Sequence, residues 1–241
     1  MVTAMRRLGF SDVVEVARGA ERTAVEEAEE LRERMARGEG FMTTSCCPAY
    51  IQTVRRHIPE LLPHVSDTPT PMHYTAERVE SANPAALTVF IGPCVAKRRE
   101  AMEDSCVDFI MTFEELGSVL EAAGIAPETC EAAALPVEAS AQGRGFAVSG
   151  GVAHAVKCAV GADADIRVGC VNGTNKAEIA RLRAYAKNGA PLDLLEVMTC
   201  PGGCINGAGV VNRGKKARED LLRFVAESPD RAEKHAEPAG E

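Results

Sequence analysis

Nine cysteines stand in this chain of 241 residues, and five of them crowd into three short segments. These are Thr44-Ser45-Cys46-Cys47-Pro48, Gly92-Pro93-Cys94 and Met198-Thr199-Cys200-Pro201-Gly202-Gly203-Cys204. An odd count in a long chain does not suit a disulfide framework. Met1 to Phe10 carries two arginines with no apolar stretch behind them, so no leader is read there and a reducing, cytoplasmic setting is expected. In such a setting clustered thiols serve as metal ligands or reactive groups, and inert buried cysteine is the alternative.

Each segment lies between an apolar run and an expected helix. Pro48 and Pro201 sit where a helix would begin, a position that tolerates proline because the missing N–H is not needed there. Free N–H groups and the positive end of the helix dipole would then favour thiolate. Gly202 and Gly203 let the backbone approach a bulky group. Four thiolates suit zinc or an iron–sulfur cluster. Structural zinc draws on paired short knuckles, whereas here only Cys200 and Cys204 are paired and Cys47 and Cys94 arrive singly, which favours iron–sulfur. Side chains of adjacent residues diverge, so one member of the Cys46-Cys47 doublet is left for another role.

The chain is 46% hydrophobic and 26% charged, an ordinary globular balance, and its formal charge of -8 argues against a nucleic-acid partner. No apolar run approaches the roughly 18 residues of a membrane span. Short β-branched runs alternate with helical stretches, which predicts an α/β fold with mostly parallel sheet. Strands are expected at Val13–Val16, Leu87–Ile91, Val107–Met111, Gly145–Val148, Arg167–Val171 and Leu194–Met198, and helices over 20–37, 48–58, 113–123, 174–187 and about 215–227. The aperiodic stretch Ala126 to Gln142 separates an N-terminal lobe, 1–125, from a C-terminal lobe, 126–227. A charged tail, 228–241, is expected to be disordered.

Taken together, Thr44-Ser45-Cys46-Cys47-Pro48, Pro93-Cys94-Val95-Ala96-Lys97-Arg98-Arg99-Glu100 and Glu196-Val197-Met198-Thr199-Cys200-Pro201-Gly202-Gly203-Cys204 resemble the three signature motifs of iron-only (FeFe) hydrogenases. The resemblance runs from about Leu8 to Gly209 and implies two lobes of mostly parallel sheet flanked by helices, with a cluster between them. It implies that Cys47, Cys94, Cys200 and Cys204 ligate a 4Fe-4S cluster, with Cys204 bridging to a two-iron subsite that carries CO, cyanide and a dithiolate. Cys46 is then the thiol that passes protons to that subsite. Lys97 matches a lysine that hydrogen-bonds a cyanide, Glu100 its neighbouring carboxylate, and Met198, Phe146 and Pro93 the surroundings of the cofactor. Glu27, Glu30, Arg34 and Ser66 match positions that carry protons inward from solvent. The implied activity is reversible reduction of protons to H2, with a ferredoxin-like electron partner.

The match has departures. Gly92 stands where methionine is common, which is expected to open a gap over the subsite and to favour a hydrogen-sensing relative. Family catalytic domains begin earlier, which implies truncation or a separate chain supplying the first segment. A carrier or assembly protein holding only a cubane, and a zinc protein, are the other readings. Cys106, Cys130, Cys158 and Cys170 fit no motif and are expected to be buried, and the five histidines form no ligand-spaced set.

Overall fold

The computed structural model describes residues 1–135, 137–161 and 164–229, so the expected tail lies, from residue 230 onward, outside the described residues. The fold is α/β. In chain order the elements are α1 (Val2–Arg7), α2 (Ala17–Ala36), β1 (Met42–Thr43), α3 (Pro48–His57), α4 (Pro71–Ala82), β2 (Val89–Gly92), α5 (Lys97–Ala101), β3 (Phe109–Thr112), α6 (Phe113–Ala122), α7 (Ala141–Gly145), α8 (Gly151–Val160), β4 (Val168–Asn172), α9 (Lys176–Asn188), β5 (Leu194–Met198) and α10 (Lys215–Ala226). No helix among them is long and apolar enough to cross a membrane.

Among the described residues, five strands form two parallel sheets, one of three strands in the order β1-β5-β4 and one pairing β2 with β3. Leu194 sits opposite both Met42 and Val168, and Val89 sits opposite Phe109. The central strand β5 is buried at every residue, the demand placed on a parallel strand covered on both faces. Its Leu194, Leu195 and Val197 join Leu31, Met42, Tyr50, Val54, Ile58, Leu61 and Leu182 in one continuous core. Helix α2 lies across α4, α7 and α8 and seals this core with Ala20, Ala24, Ala28 and Leu31, an apolar stripe of small residues along one face. Because β1 pairs with β5, the two sheets do not divide the chain at residue 125.

The expected helices agree with the observed ones to within about three residues, and Pro48 does open α3. Pro201 opens none: a tight turn and a single 3-10 turn, Cys204–Asn206, follow it. Two expected strands are absent. Val13–Val16 leads directly into α2, and Glu15 is drawn off to an ion pair with Arg144, 2.6 Å away. Gly145–Val148 instead closes α7 and turns. A side chain on Gly143 would stand 2.3 Å from the Ala17 carbonyl oxygen, and one on Gly151 would stand 1.9 Å from that of Gly145, so the glycines there serve close packing of backbone rather than a strand.

Candidate metal centre

All three cysteine segments follow the carboxyl ends of strands, where open parallel sheets place their ligands. Cys47 follows β1 and caps α3 with extended backbone. Cys200 and Cys204 follow β5, which runs parallel to β1, so both segments emerge on the same edge of the sheet. Cys94 follows β2 in the smaller sheet. The stretch after Cys204 joins the two: the Gly209 N–H donates to the Pro93 carbonyl at 2.9 Å, and the Glu114 N–H donates to the Gly209 carbonyl at 3.1 Å. A side chain on Gly207 would lie 2.4 Å from the Pro93 oxygen, so this seam needs glycine. Gly203, at φ +101°, would drive a Cβ to 2.5 Å from the Ala147 carbonyl, and it brings Cys204 against the turn that holds Phe146.

The four thiols meet. Each pair among Cys47, Cys94, Cys200 and Cys204 is close enough for one thiolate to disfavour ionisation of the other. Burial first, then these neighbours, pushes Cys204 up to about 12 and raises Cys94 and Cys200. The cations that oppose this are Lys97, beside Cys94 and Cys204, and Arg213, beside Cys200. Such a set is unfavourable as bare thiolates and suits a strongly cationic guest. Among the described residues, no three of these sulfurs lie within 4.8 Å of one another. Four thiols drawn from three distant segments suit a polynuclear iron–sulfur core as ligands.

Cys46 packs against the main core beside this set, and burial holds its thiol well above the usual range, with the charges of Glu27 and Cys47 acting the same way. Glu27 is fully buried on α2. Its Oε1 accepts the Ser45 N–H at 3.0 Å, while Oε2 has no partner. Burial, reinforced by the charge of Glu30, pushes the Glu27 carboxyl up to about 8 against the Ser45 hydrogen bond, so at neutral pH it carries a proton. One turn along, Glu30 behaves oppositely. Desolvation raises it, but the Ser66 hydroxyl at 2.5 Å, the Asp67 N–H at 3.0 Å, the Thr68 hydroxyl at 2.9 Å and Arg34 at 2.7 Å together hold it below the usual carboxylate range. Arg34 is itself buried and donates to the Pro63 and Val65 carbonyls.

Glu30, Arg34 and Ser66 therefore form one network, whereas Ser66 and Glu27 share no hydrogen bond. Ser45 and Thr68, which the sequence reading passed over, stand between them. The Ser45 hydroxyl donates to the Thr68 carbonyl at 2.6 Å and lies 3.3 Å from Glu27 Oε1. A cavity of about 310 Å³, lined in part by Ser45, Ser66, Asp67 and Thr68, reaches this point from outside.

Lys97 opens α5 and is buried. Its ammonium sits 2.8 Å from both oxygens of Glu100 and 3.1 Å from the Thr70 hydroxyl. Met198 ends β5 inside the core and Phe146 packs on the same cluster. Glu196, on β5, opens the third signature segment, but the sequence assigns it no role of its own. It is fully buried and accepts from the Gly150 and Ala153 N–H groups at 2.7 and 2.9 Å, anchoring the start of α8 and the turn before it.

A family model for the iron only hydrogenase large subunit, C-terminal domain, matches residues 1–208. This chain belongs to that family. Iron hydrogenase 1 of Clostridium pasteurianum is 29% identical over 86% of this chain and 44% of its own length. The periplasmic [Fe] hydrogenase large subunit of Nitratidesulfovibrio vulgaris is 28% identical over 87% of this chain and 61% of its own length. The chain thus spans about half the length of the curated hydrogenases it matches. A cytosolic Fe-S cluster assembly factor, NAR1 of Kluyveromyces lactis, is 31% identical over 93 residues, 37% of this chain and 20% of its own length. In fold, a variant of [FeFe]-hydrogenase HydA1 from Chlamydomonas reinhardtii superposes with a TM-score of 0.73 at 22% identity, covering 92% of this chain and 75% of that one.

Three expectations about this family member need correction. Gly92 leaves no open gap, because the Phe90 ring occupies the place of its missing side chain, 2.6 Å from where a Cβ would be. None of Cys106, Cys130, Cys158 and Cys170 is fully buried, and Cys158 is exposed. The histidines do include one with ligand-type neighbours: His73 lies beside Asp104 and Cys106, a grouping that distance along the sequence conceals.

Proposed function

We propose that this chain is the catalytic, H-cluster-binding domain of an iron-only hydrogenase, interconverting two protons and two electrons with H2. The observation that carries the reading is the gathering of four thiols from three distant segments, each close enough to influence the others' ionisation. Cys47, Cys94, Cys200 and Cys204 would hold the 4Fe-4S cluster, with Cys204 also reaching the two-iron subsite. When bound, the cubane supplies single electrons and the two-iron subsite, with its CO, cyanide and dithiolate ligands, supplies the centre for hydrogen chemistry.

The chain's own residues bind, exclude water and deliver protons. Met198 and Phe146, which share the main core, would with Pro93 form apolar walls, and Lys97, steadied by Glu100, would supply a buried cation beside Cys94 and Cys204. Protons arrive at Glu30, which stays ionised beside Arg34 and can receive one through Ser66. Glu27, poised near neutrality, is the inner store; the Thr68 carbonyl that the Ser45 hydroxyl faces has no proton to pass, so water in the cavity lined by Ser45, Ser66 and Thr68 would join Glu30 to Ser45 and Glu27. Whenever the Cys46 thiol has given up its proton, Glu27 would replace it. Electrons would enter from a ferredoxin-like partner, and the free cysteines suit a cytoplasmic site.

A second reading rests on the likeness to NAR1: a carrier with a cubane alone. Infrared spectroscopy of the anaerobically matured protein separates the two. Bands of CO and cyanide are expected, and a cubane without them would overturn the hydrogenase reading. In the same preparation Cys46→Ala should keep the bands and lose at least about 100-fold in H2 turnover. Unchanged turnover would remove Cys46 from the proton path.

A further inference from the structure

Away from the four-cysteine centre, helix α4 faces the connection between α5 and β3. There His73, Asp104 and Cys106 each present a ligand atom, all within 4.8 Å of one another. His73 Nδ1 lies 3.0 Å from Asp104 Oδ2. The other carboxylate oxygen of Asp104 accepts the Cys106 N–H at 2.9 Å, and the Cys106 carbonyl accepts the Thr88 hydroxyl at 2.9 Å, so the loop that carries both ligands is fixed before any ion arrives. Glu80 is seven residues beyond His73, two helical turns along the same face of α4, and its carboxylate accepts a hydrogen bond from the Cys106 thiol.

We infer that His73, Asp104 and Cys106, with Glu80 or water as the fourth ligand, bind a zinc ion. An imidazole nitrogen, a thiolate and carboxylate oxygens form a mixed set that suits this borderline metal, whereas magnesium and calcium would reject the sulfur. An ion pair between His73 and Asp104 alone would not need a sulfur at ligand distance. On binding, the Cys106 thiol forms the Zn–S bond and releases its proton to solvent; no oxidant or reductant is required.

The same three residue types could also be taken for an activated nucleophile. Burial, and then the Glu80 hydrogen bond, push the Cys106 thiol up to about 11, the opposite of what a nucleophile needs. A structural metal also fits the location. The buried cluster nearest to it comprises only Met72, Ala76 and Val107, and Thr70 at the head of α4 touches Lys97 and Glu100. The ion would therefore staple α4 to the smaller sheet, in the part of the molecule that carries Cys94. This inference stands on its own geometry and is independent of the hydrogenase reading.

The test uses the full chain, loaded anaerobically with its iron–sulfur centre, exposed to zinc(II) and then desalted through a mild chelator. Zinc-edge X-ray absorption should show one sulfur at about 2.3 Å and three nitrogen or oxygen ligands at about 2.0–2.1 Å. A shell of three or four sulfurs would place the zinc among the cluster cysteines and overturn the inference, as would loss of all zinc on desalting. His73→Ala and Cys106→Ser should each lower retained zinc at least about tenfold with iron content unchanged. Zinc retention equal to the parent's in both variants would overturn it too. Should either variant fail to fold, the ligand shell of the unaltered chain still decides.

Discussion

The two sheets each hold cysteine segments at the ends of their strands, but by different means. The three-stranded sheet, which presents Cys47, Cys200 and Cys204, rests on one continuous hydrophobic core sealed by α2. The two-stranded sheet, which presents Cys94, has only two small clusters, one of Ala4, Leu116, Leu120 and Ile125 and one of Met72, Ala76 and Val107. It depends on polar ties: Lys97 with Glu100 and Thr70, and the reciprocal capping of α6 by Thr112 and Glu115. Burial makes one edge of the site stiff by close packing, while directional bonds with little packing behind them set the other.

The sharpest way to break this contrast is to cut equal side chains from the two sides. Leu195→Ala, at the centre of β5, should cost about 4 kcal/mol in denaturant melts, because a dense surround cannot collapse into the hole. Leu116→Ala, in the four-residue cluster, should cost about 2–3 kcal/mol. Equal losses would mean that the smaller side is as tightly packed as the larger.

A second comparison lies within the larger side. The Glu27 carboxyl has an ordinary value of 4.5 and is pushed up to about 8 when folded. Its protonated form is therefore the one that folding favours. The stability it contributes is whole below about pH 4.5 and is lost as pH climbs through about 8. Glu27→Gln should stay near the parent at pH 4 and exceed it by about 3–5 kcal/mol at pH 9, measured as the difference between paired melts. A pH-independent difference would mean that Glu27 is not the buried acid described. The smallest effect concerns the polar ties. Thr112→Ala removes the cap of α6 and should cost about 1 kcal/mol, with the main core untouched.

The contrast also explains what could be read from sequence. β5 was legible to the residue because four of its five residues are apolar, as a buried parallel strand demands, and α3 was legible because Pro48 marks its first turn. β1 has only two residues and no period to detect. Helix α8 was missed although Val152, Ala153, Ala155 and Val156 line one face, because the run is short, rich in alanine and preceded by the glycine pair Gly150-Gly151. The cysteine segments stood out by residue type and spacing. Ser45, Thr68 and Glu196 did not, because only the fold brings them to Glu27, Glu30 and the head of α8. The His73–Asp104–Cys106 grouping escaped for the same reason, since its members come from a helix and a loop about thirty residues apart.

Whether the four thiols surround an iron–sulfur core is decided by counting iron and acid-labile sulfide per chain after anaerobic reconstitution. About four of each per chain are predicted, falling by at least about tenfold when Cys204 is changed to alanine. Tightly held zinc at these cysteines with no sulfide, or iron and sulfide undiminished in Cys204→Ala, would contradict it.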